Sequence, residues 1–298
     1  MTYQIIVGDS RTELAKLPSE SVDCVVTSPP YYGLRNYEME KQIGLEESLQ
    51  DYLDSMVGVF QEIKRVLKPK GTVWLNIGDS YVGGKKGKGE KDAIFGLKTK
   101  DILGVPFRLA FALQKDGWIL RQEIIWDKPN AMPESAKDRC SKSHEYIFLL
   151  TKSPKYYFDA EAIKEERAES SIARDKRGRS SKSKYADGSH ENIGISAART
   201  HNKEREVPTK RNKRSVWRVS TKHFKGAHFA TFPHDLIEPC ILAGCPKDGV
   251  VLDPFAGSGT TAGVAHALDR NSIMIELNYE YAKLIPSRIK DVLRRYEK

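Results

Sequence analysis

Long apolar runs are missing from this 298-residue chain. Its hydrophobic stretches, such as Tyr146 to Leu150, are strand-sized, which argues against a membrane span. The start, Met1-Thr2-Tyr3-Gln4, is polar and leads into a short apolar run, unlike a secretory signal. Cysteine is scarce. The four present (Cys24, Cys140, Cys240 and Cys245) form no Cys-x-x-Cys pair and have no histidine at zinc-binding spacing. Neither a disulfide framework nor a metal site is expected, and a reducing, cytoplasmic compartment follows. Internal repeats are absent. So is a phosphate-binding loop: Gly83-Gly84-Lys85-Lys86 lacks the upstream glycine and the Ser/Thr after lysine that such a loop needs.

What is present is positive charge, and it is unevenly placed. The formal net charge is +9. Between Thr151 and Ala227 there are 20 Lys/Arg against 10 Asp/Glu, a net of +10, so the rest of the chain sums to −1. That segment is rich in Ser, Gly and Asn, and between Ala168 and Pro208 it has no long apolar periodicity. Its densest clusters contain Arg177 and Arg179, then Lys210, Arg211, Lys213 and Arg214, with Trp217 and Phe224 nearby. Such a segment is either a solvated insertion or a nucleic-acid-binding module whose cations meet phosphates. Its expected extent is 156–227, inserted between catalytic segments 1–155 and 228–298.

Around it, short β-branched runs alternate with amphipathic stretches. Strands are expected at Gln4 to Val7, Val22 to Thr27, Gly71 to Ile77, Ile119 to Trp126, Tyr146 to Leu150, Val250 to Leu252 and Ser272 to Ile275. Helices are expected at Arg11 to Leu17, Leu49 to Val66, Pro106 to Lys115, Phe232 to Ala243, Thr260 to Leu268 and Tyr279 to Arg295. Lys68-Pro69-Lys70-Gly71 reads as a stop before the third strand. The alternation predicts an α/β fold with a mostly parallel, doubly wound sheet.

Two motifs carry chemistry. The first follows the second strand: Thr27-Ser28-Pro29-Pro30-Tyr31-Tyr32. Two prolines remove backbone donors and fix φ, so neither strand nor helix continues. A stiff loop remains at the sheet's C-terminal edge, where ligands bind in open α/β sheets. The Ser28 hydroxyl and Pro29 carbonyl offer acceptors, and Tyr31 offers a ring face, which suits a flat ligand bearing an amino group. The plain alternative is a proline turn that closes a strand.

The second motif is Asp253-Pro254-Phe255-Ala256-Gly257-Ser258-Gly259-Thr260, a strand, a glycine loop and a helix start. Glycines let backbone approach a ligand, and Glu276 ends the next strand where a ribose-gripping acid belongs. Gly257-x-Gly259-x-x-Ala262 also fits a nicotinamide dinucleotide, but Asp253 at the loop entrance repels a pyrophosphate and favours a ligand with cationic groups.

Together the two motifs resemble those of the amino-DNA methyltransferases that use S-adenosyl-L-methionine to modify cytosine N4 or adenine N6. The likeness covers nearly the whole chain except the insertion, and the order of motifs resembles the beta group. It implies a seven-stranded, Rossmann-like methyltransferase sheet, circularly permuted, with a basic target-recognition insertion. It further implies double-stranded DNA as partner, base flipping, a place in a restriction-modification system and no metal. A homodimer is compatible with the sequence, which carries no signal for or against one.

On this resemblance Asp253 to Thr260 hold the methionine end of the cofactor and Glu276 the ribose. Asp9 contacts the adenine side, or is simply a helix N-cap. Phe229, in His228-Phe229-Ala230-Thr231-Phe232-Pro233, covers the methionine end. Ser28 and the Pro29 carbonyl accept the amine N–H bonds, Pro30 stiffens the loop and Tyr31 stacks on the base. Serine before Pro-Pro-Tyr is associated mainly with cytosine N4, whereas aspartate is typical of adenine N6. A non-catalytic DNA-binding module and a nicotinamide oxidoreductase are the competing classes. Cys240 is expected to be structural, Asp79 and Trp126 to Asn130 to be strand-end residues near the site, and His144 to be structural.

Overall fold

A computed structural model describes residues 1–34, 36, 39–40, 42–83, 95–176, 207–222 and 232–297. In chain order the first half contains β1 (Tyr3–Val7), α1 (Ser10–Lys16), β2 (Val22–Thr27), α2 (Leu49–Val66), β3 (Leu67–Ile77) and α3 (Val105–Lys115). There follow β4 (Ile119–Asp127), β5 (His144–Thr151), β6 (Glu165–Glu166), α4 (Glu169–Lys176), β7 (Lys210–Arg211) and β8 (Val216–Arg218). The C-terminal part contains α5 (His234–Gly244), β9 (Val250–Asp253), α6 (Thr260–Ala267), β10 (Asn271–Glu276), α7 (Tyr279–Ala282) and α8 (Ile285–Tyr296).

The chain divides into two compact units, 1–162 with 214–298, and 163–213. The larger unit is built on one sheet in the order β1-β10-β9-β2-β3-β5-β4-β8. The β1, β10, β9, β2 and β3 strands run parallel, β5 is antiparallel to both β3 and β4, and β8 lies parallel to β4. The first strand of the chain therefore lies beside its last.

Alternation along the inner strands explains why helices cover both faces. Val25, Val73 and Leu75 join the core formed with Leu53, Met56 and Phe60 of α2. Cys24, Thr72 and Trp74 point the other way; the Thr72 hydroxyl donates to the Gly244 carbonyl of α5 at 3.1 Å. The α2 bounds follow from its sequence: the Ser48 side chain accepts from Asp51 N, and the apolar stripe buries Leu49, Tyr52, Leu53, Met56, Val59, Phe60, Ile63 and Val66.

Three local expectations change. The third strand starts at Leu67 directly after α2, not at Gly71. Its register to β2 slips between Val22 and Cys24, so Lys68 to Gly71 bulge from the ladder instead of ending it. The last helix divides into α7 and α8, because Pro286 sits in the first turn of α8, where its missing N–H costs nothing but cannot extend α7. Finally, Trp217 lies on β8, paired with Trp126, and is 6% exposed. Its ring centroid lies 6.4 Å from that of Trp74. It is a core residue of the sheet rather than an aromatic of a basic module; flanking charge concealed a three-residue strand.

The smaller unit pairs β6 with β7 antiparallel, Glu165 opposite Arg211 and Glu166 opposite Lys210. Within it Arg167 donates to the Pro208 carbonyl and pairs with Asp175 of α4.

Candidate active site

Four strand ends converge on one cavity. The residues after β1 contribute Asp9 and Ser10, those after β2 Ser28 and Pro30, the β9 loop Asp253 to Gly257, and the end of β10 Glu276 to Asn278. Met39, Gln42, Ile43, Phe232, Thr260 and Tyr281 complete the wall. This is the C-terminal edge of the parallel part of the sheet, where strand ends leave a crevice. The proline loop and the glycine loop are more than 220 residues apart in the chain and are directly bonded here. The Thr27 hydroxyl donates to Asp253 Oδ1 at 2.7 Å.

Asp253 organises that junction. Its Oδ1 also accepts from Phe255 N at 3.1 Å, and its Oδ2 accepts from the Thr261 hydroxyl at 2.6 Å. The carboxyl is 1% exposed. Burial pushes its pKa up to about 6 despite the three donors, each of which favours the ionised form.

Glu276 holds the other rim. Its Oε2 accepts from Gly257 N at 2.7 Å and its Oε1 from Asn278 N at 2.8 Å. Burial raises its pKa, and nearby Asp253 raises it further. The Ser10 hydroxyl fixes the Pro254 carbonyl at 2.5 Å, and Ala256 N bonds to the Ile275 carbonyl at 2.9 Å. Gly259 caps α6 at φ +86°, and a Cβ there would stand 2.7 Å from Ile285 Cγ2. Both backbone handedness and space require glycine at this turn. Ser258 and Gly259 shape the loop without lining the cavity. The buried Ser258 hydroxyl has no hydrogen-bond partner among the described residues. Thr260 faces the cavity while Arg288 donates to its hydroxyl at 3.3 Å.

On the far side of the Ser28 loop lies a second polar group of residues. The Ser28 hydroxyl donates to Tyr31 Oη at 3.3 Å, and Tyr31 Oη donates to Glu145 Oε2 at 2.8 Å. Asn76 Nδ2 donates to the same Glu145 oxygen at 3.2 Å, and Lys128 pairs with Glu145 Oε1. Burial, then the Glu145 carboxylate, pushes the Tyr31 phenol well above its ordinary range. Gly78 leaves room for the ring; a Cβ there would be 2.8 Å from Tyr31 Cε2. The Tyr52 hydroxyl bonds to the Pro30 carbonyl at 3.0 Å. Pro29 is buried, and neither it nor Tyr31 lines the four-strand cavity.

Asp9 lies just beyond β1. It caps α1 by accepting from Arg11 N at 2.9 Å, pairs with the Arg11 guanidinium, and still faces the cavity. Of the basic residues, Lys210 and Arg211 lie on β7, with Lys210 near Glu166 at 3.7 Å and Arg211 on Glu165 at 2.9 Å. The Arg214 carbonyl accepts from Trp217 Nε1, and Lys213 ends the smaller unit. Phe229, Arg177 and Arg179 lie outside the described residues, as does Phe224. Cys240 is buried in α5. Asp79 accepts from Ser80 N and Val105 N, and Asn130 accepts from Thr221 N. His144 Nε2 lies 3.2 Å from Tyr146 Oη. Among the described residues no group of three or more His, Cys, Asp or Glu could hold a metal ion, and no helix is long and apolar enough to cross a membrane.

Residues 22–287 match the model of the N6/N4 methylase family, described as DNA methylase. The chain belongs to the N6/N4 DNA methylase family. The methylase is 46% identical over 296 residues to the type II methyltransferase M.Cfr9I of Citrobacter freundii, a match covering 95% of this chain and 86% of that protein. It is 45% identical to M.SmaI of Serratia marcescens, over 96% of this chain and 90% of that one. Among solved structures, the cytosine-N4-specific PvuII DNA methyltransferase superposes with a TM-score of 0.67 at 21% identity, covering 99% of this chain and 93% of that one. The methylase TTHA0409 of Thermus thermophilus, solved with S-adenosyl-L-methionine, gives 0.61 at 24% identity over 98% and 96%.

Several residues of the methylase's site carry no motif. Glu145 and Asn76 offered only the signal of polar residues in or beside the short apolar stretches 146–150 and 73–77. Lys128 lies one residue beyond β4 and meets Glu145 because β4 and β5 are antiparallel. Met39, Gln42 and Ile43 lie in a connection whose path no local pattern encodes.

Proposed function

We propose that this methylase moves the methyl group of S-adenosyl-L-methionine to the exocyclic N4 of cytosine in double-stranded DNA. The observation that carries the reading is the single cavity that joins Ser28 and Pro30 to Asp253, Gly257 and Glu276. Its donor set suits that cofactor. Asp9, Asp253 and Glu276 put three carboxyl groups around one space, hostile to a pyrophosphate and favourable to an ammonium and a sulfonium. Phe255, Phe232 and Ala256 supply apolar wall. Glu276 would take the ribose hydroxyls, the 253–260 loop the methionine end, and Asp9 the adenine side. When bound, the cofactor supplies a methyl group activated by its positive sulfur.

The chain's own residues do the rest. The exocyclic amine is a weak nucleophile because its lone pair is delocalised into the base. Ser28 Oγ and the Pro29 carbonyl accept its two N–H bonds, favouring a pyramidal nitrogen with its lone pair free to attack. Pro29 and Pro30 stiffen the loop that carries those acceptors, and Tyr31 would present its ring to the base. A base inside a duplex cannot reach this position, so it must be flipped out. Transfer is direct and in line, with positioning as the main source of rate. Residues 156–227 act in target recognition, with Arg177, Arg179, Lys210, Arg211, Lys213 and Arg214 meeting phosphates.

Ser28, where an aspartate is typical of adenine-N6 enzymes, supports cytosine over adenine. Incubation with unmethylated genomic DNA and S-adenosyl-L-methionine, followed by nucleoside mass analysis, tests the assignment. N4-methylcytosine is expected; N6-methyladenine alone would transfer the same site to adenine.

A further inference from the structure

We propose that Ser28, Tyr31 and Glu145 form a one-way path that carries the amine's proton out of the reaction cavity. The inference rests on the reading of Ser28 as the amine's acceptor, and it adds two residues beyond it.

The direction follows from donor and acceptor capacity. A carboxylate can only accept. The single Tyr31 hydroxyl proton has two acceptors in reach, Glu145 Oε2 at 2.8 Å and Asn76 Oδ1 at 3.4 Å, and the nearer, the carboxylate oxygen, takes it. That leaves the Tyr31 oxygen to accept from the Ser28 hydroxyl at 3.3 Å. The Ser28 proton then points away from the cavity, and its lone pairs remain for an incoming N–H. Without an anion at the end of the chain, the Ser28 hydroxyl could equally well turn its proton toward the amine.

Glu145 is built for this position. Asn76 Nδ2 donates to its Oε2 at 3.2 Å and is itself anchored by the Tyr146 carbonyl at 3.1 Å. Lys128 pairs with Oε1 and is held over the Trp126 ring at 4.1 Å. The raised pKa of Tyr31 keeps its hydroxyl protonated, hence a donor. The Glu145 side chain is 17% exposed, so the far end of the path reaches solvent.

The balance is simple. The amine nitrogen forms the N–C bond as the methyl's bond to sulfur breaks, its electron pair remaining on sulfur. The nitrogen's proton moves to Ser28 Oγ, the Ser28 proton to Tyr31 Oη, and the Tyr31 proton to Glu145. The products are a neutral methylated amine, a neutral thioether and a protonated Glu145, which returns its proton to water.

The test uses the full chain with genomic DNA. Tyr31→Phe keeps the ring and removes the relay; Glu145→Gln keeps an acceptor for Tyr31 but cannot take a proton. Both are expected to lower kcat on the order of 100-fold, the lower end for a positioned proton acceptor. KM for DNA and calorimetric affinity for S-adenosyl-L-methionine should stay at wild-type values, which also shows that the variants are folded. A solvent deuterium effect on single-turnover transfer should be present in the wild type and changed in Tyr31→Phe. Wild-type kcat in both variants, or a loss confined to KM, would overturn the path. Ser28→Ala, measured alongside, tests the amine acceptor separately, so a failed path and a failed acceptor give different results.

Discussion

Asp253 carries the main electrostatic conflict of the site in one side chain. Three hydrogen-bond donors ask it to be ionised, and burial asks it to be neutral. With a pKa of about 6 in the free protein, it gains charge as the pH rises through that value. A cationic cofactor prefers the charged form, so affinity for S-adenosyl-L-methionine should rise between about pH 5 and pH 7 and then level off. Calorimetry across that range checks this. Asp253→Asn should flatten the profile, whereas an unchanged slope would assign the titration to another group. In the proposed mechanism Ser28→Ala removes one acceptor of the amine. Methyl transfer should fall on the order of 100-fold while cofactor affinity is retained. Near-wild-type transfer rates would remove Ser28 from the mechanism.

Elements were unequally legible in the sequence. Strands buried on both faces, such as Val22–Thr27 and Asn271–Glu276, read as short apolar runs, and the α2 stripe reads at helical period. The two loops of the proposed site were visible because prolines and glycines punctuate strand ends. What local pattern could not encode is who meets whom. Glu145 reaches Tyr31 only because β5 reverses direction beside β3, and β8 is too short and too flanked by charge to stand out. The Thr27–Asp253 bond likewise joins neighbours that only the strand order creates. At the turn into α6, Gly259→Ala combines a left-handed backbone with a close approach to Ile285. It should cost about 1–3 kcal/mol or more, seen as a lower Tm, with a parallel loss of cofactor affinity because the same turn shapes the loop. An unchanged Tm would mean the turn tolerates a side chain.

For the whole molecule, charge separates along the chain: a near-neutral catalytic part and a strongly basic segment. Lys210 is exposed and its nearest acid lies at 3.7 Å, an arrangement worth little in water and easily exchanged for a phosphate. Replacing Lys210 and Lys213 by alanine should weaken DNA binding and reduce the slope of log K against log salt by about two. An unchanged slope would place the phosphate contacts elsewhere. In the proposed function such a segment supplies affinity, and the cavity at the strand ends supplies the chemistry. The most direct measurement is therefore the identity of the product: unmethylated genomic DNA is treated with the protein and S-adenosyl-L-methionine, digested to nucleosides and weighed. The account predicts N4-methylcytosine; DNA that gains only N6-methyladenine, or no methyl group at all, would contradict it.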